Sequence, residues 1–416
     1  MKPASESMPP TYSHHRNDMT VCGSPVDLRT PSGDLAGGVL PVPGRTAAAR
    51  EKLLIVSARW SHLGGHSGLA PLAEALATHF DVERVQPSTM DKLRVFFSRA
   101  FRYAGEKVLG KARSSSWNPF YNRVGLLLET AAKRTLKSGQ YDVVLFEAFE
   151  DHFNAFRHSA GWIGRTRIAA VSHQPPAWWR LYGTSSEVFD RVDTLFVLST
   201  AAERYMKTEL GRGNVHFIPH GVDTEFFIPS EGEQAGGAVN IVFAGLWLRD
   251  FRLLKDTIGR LSDLASRVTF HLVVPEFART QDAHYALAVF DNVRWYSGLS
   301  DTALRDLYQR ADLMFLPLID STANNSLLEA MAVGLPLVVS DVGGVRDYLD
   351  DDGAVFVSPN TAASAAERIR WAIANPEDCR KRAAHARRKA VETLTWERFA
   401  VEAAAVIEQA GKGRRA

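Results

Sequence analysis

Cysteine is nearly absent from this chain. Cys22 and Cys379 are the two in 416 residues, and they stand near opposite ends. Thiols so far apart argue against a disulfide framework and fit a reducing compartment. No apolar run approaches the roughly 18 residues that a membrane span requires. The N-terminus lacks the basic-then-apolar order of a secretory leader. A cytoplasmic location is therefore expected. An excess of charge of one sign is missing too: 49 Lys and Arg face 47 Asp and Glu, for a net charge of +2. No global field points to nucleic acid or to a membrane. No His cluster with metal-ligand spacing is present, so no metal is expected.

What is present is an ordinary globular composition, 45% hydrophobic and 23% charged. The length suggests two or three domains. Residues 1–50 are rich in Pro, Ser, Gly and Thr. Such a segment buries too little surface to offset its ordering entropy and is expected to be a disordered tail.

From residue 51 onward, short apolar runs alternate with helical periodicity. Runs at 52–57, 142–146, 168–172, 194–198 and 215–218 have the length and apolar continuity of buried parallel strands. Residues 230–238 are Gly- and acid-rich without periodicity and mark a boundary. The alternation restarts with strands at 240–244, 268–274, 293–296, 313–318, 335–340 and 354–357. This pattern predicts two doubly wound α/β domains facing a cleft.

One stretch organises the second half: Ser321 to Arg346, STANNSLLEAMAVGLPLVVSDVGGVR. Strand, polar loop, helix, strand, Gly turn and helix follow one another. In a parallel sheet, ligands sit at the carboxyl ends of strands, where helix N-termini point. The N-terminus near Ser326 and the one after Gly343-Gly344 would each offer backbone N–H groups to an anion such as a diphosphate. The bland alternative is a plain βαβ unit with a chance acid, Glu329, on its helix.

The run Leu328-Glu329-Ala330-Met331-Ala332-x-Gly334-x-Pro336 resembles the donor-site signature of the retaining GT-B glycosyltransferases of family 4. Pro219-His220-Gly221-Val222-Asp223-Thr224-Glu225-Phe226-Phe227 is similar to the same family's segment at the end of the first domain. The resemblance spans about residues 52–410. It implies an acceptor domain at 51–230, a nucleotide-sugar donor domain at 236–385, and helices at 386–416 that cross back to the first domain.

In that family a Glu–x7–Glu pair binds the donor, the second Glu on the ribose and the first facing the sugar. Glu329 matches the second. Eight residues upstream stands Ser321, beside Asp320, so the chain departs from the pattern at the sugar-facing position. Asn324 and Asn325 can offer hydrogen bonds to sugar hydroxyls in partial replacement. The family places an Arg just after the Gly of its first donor-domain strand and a Lys some five residues on, both on the diphosphate. Here Gly245 is followed by Arg249, Arg252 and Lys255 at altered spacing. Arg249 is the first choice, since its fork suits bidentate phosphate contact. Arg252 and Lys255 have the alternative of a solvent-facing helix surface.

In the first half, Gly64, Gly65 and Gly68 form a Gly-rich turn between strand and helix, which lets backbone approach a ligand. They look like the family's cleft loop. His173, at a strand end before Pro175-Pro176, matches by position the family's active-site His near the transferred sugar. Its bland alternative is a satisfied structural histidine. Glu147 and His152 are weaker candidates for acceptor contacts. Trp178 and Trp179 could stack on a sugar or cap the core.

Residues 92–123 carry eight Lys and Arg against Glu106, with interleaved aromatics and apolar residues at helical spacing. Such a helix can lie on an anionic membrane surface, here the inner face, or pack its stripe on the core with a solvated basic face. A nucleic-acid groove would use similar residues, but no supporting module accompanies it.

The resemblance implies a metal-independent glycosyltransferase with a nucleotide sugar as substrate, an unidentified acceptor and no cofactor. A noncatalytic GT-B-like partner or sugar-binding subunit is the alternative, motivated by Ser321 and the altered phosphate clamp. A sugar phosphorylase of the same fold is a third reading.

Overall fold

The computed structural model describes residues 50–57, 64–96, 121–154, 156, 165–182, 186–232 and 237–413. Of the tail expected at 1–50, residues 1–49 lie outside the described residues, as does the centre of the basic segment, residues 97–120.

Among the described residues, twelve strands form two six-stranded sheets, and every pairing within them is parallel. The first contains β1 (Lys52–Val56), β2 (Asp81–Arg84), β3 (Val143–Phe146), β4 (Arg167–Ser172), β5 (Thr194–Val197) and β6 (Val215–Phe217). Their order is β2-β1-β3-β4-β5-β6. The second contains β7 (Val239–Ala244), β8 (Val268–Val273), β9 (Val293–Tyr296), β10 (Leu313–Leu316), β11 (Leu337–Ser340) and β12 (Val355–Val357). Their order is β12-β11-β10-β7-β8-β9.

The continuous apolar runs follow from burial on both faces. Leu54 and Val56 of β1 pack into one core with Val144 and Phe146, while Leu53 and Ile55 pack into another with Val143 and Leu145. The second sheet repeats this, with Val242, Met314 and Leu337 on one face and Ile241, Phe243 and Phe315 on the other. Burying a Leu- or Phe-sized side chain contributes about 1.5–3 kcal/mol.

Each sheet has a switch point where neighbouring strands leave in opposite directions: β1 between β2 and β3, β7 between β8 and β10. Crevices open beyond the carboxyl ends of strands at such points. The loops after β1 and β7 are the Gly-rich loop and the Gly245–Asp250 loop.

The final helix, Trp396–Gly413, packs Trp396, Phe399, Ala400, Ala403 and Ile407 into the core of the first sheet. Gly221 is required there, because a Cβ would stand 2.6 Å from the Trp396 ring.

Strand β2 was not anticipated. Its sequence, DVER, holds a single apolar residue, and as an edge strand it is exposed at alternate positions. A helix at Pro376–Thr393 begins on Pro376, which occupies the first turn where a missing N–H costs nothing. Residues 89–96 are helical, with Leu93 and Phe96 exposed. Among the described residues no helix is long and apolar enough to cross a membrane.

Candidate active site

The cleft between the sheets is crossed by direct hydrogen bonds from the Gly-rich loop. Ser67 Oγ donates to Glu329 Oε1 at 2.8 Å, and the amides of Gly65 and His66 donate to Asp301 Oδ2 at 2.7 and 3.2 Å. Gly64 is the residue this approach demands: a Cβ would fall 1.6 Å from Asp301 Oδ1. His66 stacks on Phe226 at 3.8 Å and bonds Asp223 through Nδ1 at 2.7 Å. The segment 219–227 therefore backs the loop from behind.

Glu329 lies on the Asn325–Val333 helix, which Asn324 caps by accepting the Leu327 amide. The helix stops at Gly334, whose φ of +74° suits the left-handed C-cap. Glu329 is buried, and its second oxygen accepts from the Tyr308 hydroxyl at 3.0 Å. Burial pushes its carboxyl above the usual range, against the hydrogen bonds from Ser67 and Tyr308.

Arg249 reaches this helix by an unusual turn. Gly245 has φ +102°, and Leu248 sits at φ +58°, a conformation that non-Gly residues adopt at a cost. The turn folds the guanidinium back onto Ala244 O, Trp247 O, Asn324 Oδ1 and Ser326 Oγ. Arg249, Asn324, Ser326 and Glu329 thus form one cluster. Burial lowers the Arg249 pKa to about 10, which leaves it charged at neutral pH. The Asn324 carbonyl oxygen points to Arg249 and the helix amide. Lys255 is half-exposed and pairs with its neighbour Asp256 at 2.7 Å, while Arg252 is exposed.

Ser321 is buried, and its amide donates to Asp320 Oδ1 at 2.8 Å. Its carbonyl accepts the Gly344 amide at 2.7 Å. That amide is therefore engaged within the protein. Gly343 has φ +54°, and a Cβ there would meet Asp320 Oδ1 and the Ser321 backbone within 2.6 Å. Gly343 and Gly344 hold the 320–322 loop in place, and the helix that follows, Val345–Tyr348, is a single turn.

On the opposite wall, His173 follows β4. Its Nε2 donates to the Glu147 carbonyl at 2.8 Å, so Nε2 carries the proton and Nδ1 the lone pair. Its own carbonyl accepts from Thr322 Oγ1 at 2.7 Å, and burial pulls its pKa below the ordinary value. Glu150 Oε1 accepts from Ser172 Oγ, His173 N and Gln174 N at 2.7, 2.9 and 3.1 Å, which fixes this loop. Gln174 also accepts from Trp247 Nε1 across the rim at 3.1 Å.

A cavity of about 420 Å³ opens here, lined by Gly64, Arg84, Glu147, His152, His173 and Asn325 among others. Trp178 and Trp179 do not face it; both are buried in the first sheet's core. Asp301, Tyr308 and Arg84 were missed by sequence reasoning. Asp301 follows the helix cap Ser300, and at such a position an acid reads as ordinary dipole compensation.

Residues 251–389 match the family described as Glycosyl transferases group 1. The resemblance read from Glu329 and its neighbours is borne out. The chain is 28% identical over 260 residues to the MMP alpha-(1->4)-mannosyltransferase of Mycolicibacterium hassiacum, covering 59% of this chain and 63% of that protein. It is 27% identical over 289 residues to a D-inositol 3-phosphate glycosyltransferase of Geodermatophilus obscurus, covering 62% and 63%. The alignment thus spans less than two thirds of each relative. Among solved structures, sucrose-phosphate synthase from Thermosynechococcus elongatus superposes with a TM-score of 0.66 at 14% identity, over 86% of this chain and 99% of that one. Anabaena HepE, solved with UDP-glucose, gives 0.60 at 15% identity over 88% and 100%. The fold is GT-B.

Proposed function

We propose that the protein is a glycosyltransferase that moves a sugar from a nucleotide-diphosphate donor to a hydroxyl acceptor, with retention of anomeric configuration and without a metal ion. The observation that carries this reading is the placement of Glu329: buried on a helix whose N-terminus carries Asn324, Asn325, Ser326 and Arg249, and facing the Gly-rich loop across the cleft. The family match over 251–389 and relatives named as glycosyltransferases support it.

In this reading Glu329 accepts the ribose hydroxyls once Ser67 withdraws. The developing charge on the leaving diphosphate meets the helix N-terminus and the Arg249 guanidinium, which supply positive potential already in place. His173, neutral and held by Glu147 O, stands beside the transferred sugar and the incoming hydroxyl. Asn325, which lines the cavity, is the better placed of the two asparagines for a sugar hydroxyl. Ser321 and Asp320 shape the loop that selects the sugar.

The test is a screen of nucleotide sugars by ligand-observed NMR with the intact protein, followed by an acceptor search with the donor that binds. Binding of one donor, weakened in Glu329→Ala, and transfer lost in His173→Ala are expected. A protein that binds no nucleotide sugar overturns the reading.

A further inference from the structure

The cavity beside His173 contains polar groups that the donor chemistry does not use. Glu147 ends the wall formed by β3 and is 3% exposed. Among the described residues its Oε1 has no hydrogen-bond partner. Such a buried acceptor costs about 1–3 kcal/mol when left unpaired, so an orphaned oxygen on a cavity wall asks for a ligand. His152 stands on the same wall, with an equally unpartnered and buried Nδ1.

Arg84, the last residue of β2, adds a cation. It is half-buried and lines the cavity, and its Nη2 donates to Ala70 O at 2.8 Å. Among the described residues no carboxylate lies within ion-pair distance of its guanidinium. Glu147 does not neutralise it fully, because burial raises that carboxyl to about 7 despite the Ser57 hydroxyl and the Arg84 charge. A guanidinium with unengaged donors in a cavity is suited to a planar or tetrahedral oxyanion.

We propose that Arg84 and Glu147, at the carboxyl ends of β2 and β3, anchor a polyol acceptor that carries one anionic group, phosphate or carboxylate. The anion sits on Arg84, and a hydroxyl donates to Glu147 Oε1. The reactive hydroxyl is thereby turned toward His173 and the donor wall at Asn325. The subsite rests on the glycosyltransferase reading for its role, and its ligand chemistry rests on the cavity alone. A cavity of about 420 Å³ is in the range of small-molecule sites.

The experiment uses the intact protein and saturation-transfer NMR. Three pairs of probes are titrated: glucose with glucose 6-phosphate, mannose with mannose 6-phosphate, and glycerol with glycerol 3-phosphate. UDP and GDP are titrated separately. In at least one pair the phosphorylated member is expected to bind about tenfold tighter than its neutral twin. Arg84→Gln should bring that ratio close to one, Arg84→Lys should keep most of it, and Glu147→Gln should weaken both twins alike. Nucleotide affinity should be the same in all variants. The proposal is overturned if no phosphorylated probe binds, if neutral twins bind as well, or if Arg84→Gln keeps the ratio. A protein that takes the phosphorylated probes in this Arg84-dependent way but neither nucleotide keeps the subsite and overturns the donor reading.

Discussion

The Ser67 hydroxyl donates across the cleft to Glu329 Oε1 at 2.8 Å, while Tyr308 holds Oε2 at 3.0 Å. Both oxygens of the residue proposed to hold the ribose are therefore engaged within the protein. A ribose must displace Ser67. Ser67→Ala should leave a buried carboxylate oxygen unsatisfied and lower stability by about 1–3 kcal/mol in denaturant titrations. The same change should tighten nucleotide binding severalfold, whereas Glu329→Ala should weaken it by about tenfold or more. Equal weakening by both variants would make Ser67 a nucleotide ligand instead of a competitor.

Gly64 and Asp301 form the second latch. A methyl on Gly64 would stand 1.6 Å from the Asp301 carboxylate that holds the Gly65 and His66 amides. Gly64→Ala should detach the loop from the donor wall, and Asp301→Ala should do the same from the other side. Small-angle scattering should show both variants more open than the parent. The double variant should add nothing further, since both changes remove one contact.

Parallel sheets and a two-part architecture were legible because strands such as LLIV and VVLF are apolar throughout, a pattern that burial on both faces imposes. The Gly334 stop was legible because glycine suits the positive φ of a helix C-cap, and Glu329 was legible through the resemblance of the 328–336 run to the family's donor signature. The altered spacing from Gly245 to Arg249 was legible, but the turn that resolves it was not: nothing in Leu-Trp-Leu-Arg announces a leucine at φ +58°. Asp301, Tyr308 and Arg84 were hidden for a different reason. Each stands on a surface-like helix or edge strand, and its role depends on which wall the fold brings opposite. Trp178 and Trp179 show the converse, since sequence left their role open and packing placed them in the core.

Gly343 tests the 320–322 loop. Its φ of +54° strains any L residue, and a Cβ would meet Asp320 Oδ1 at 2.3 Å and the Ser321 carbonyl at 2.4 Å. Gly343→Ala should cost about 1–3 kcal/mol of stability. It should also change which donor sugar binds, because the loop shifts. An unchanged donor preference in a folded Gly343→Ala protein would remove this loop from sugar selection.

His173 is held neutral by burial, with its Nε2 proton on the Glu147 carbonyl. His173→Ala should lower kcat by about 10–100-fold while nucleotide Kd stays constant. Because its pKa lies below the ordinary value of about 6.5, any loss of His173-dependent activity on acidification should have its midpoint below pH 6.5. A protonation limb near 6.5 that disappears in His173→Ala would show an imidazole that titrates normally and is not buried as described.

Glu147 gives a stability signature that is independent of activity. Burial raises its carboxyl to about 7, while an unfolded Glu titrates near the reference 4.5. The folded state therefore binds the proton more tightly, and the contribution is full below about 4.5 and lost as pH rises to about 7. His152 and His220, lowered by burial to about 4 and about 3, work in the opposite direction. Their contribution is present above about 6.5 and is lost as pH falls. In the parent these slopes oppose each other between pH 4.5 and 6.5. Glu147→Gln removes the descending one. Its stability should therefore rise with pH across that window more steeply than the parent's, by about 1.4 kcal/mol per pH unit. Denaturant titrations at pH 5, 5.5 and 6 measure the difference, and parallel curves for the two proteins would show that Glu147 is ionised in the folded state across that window.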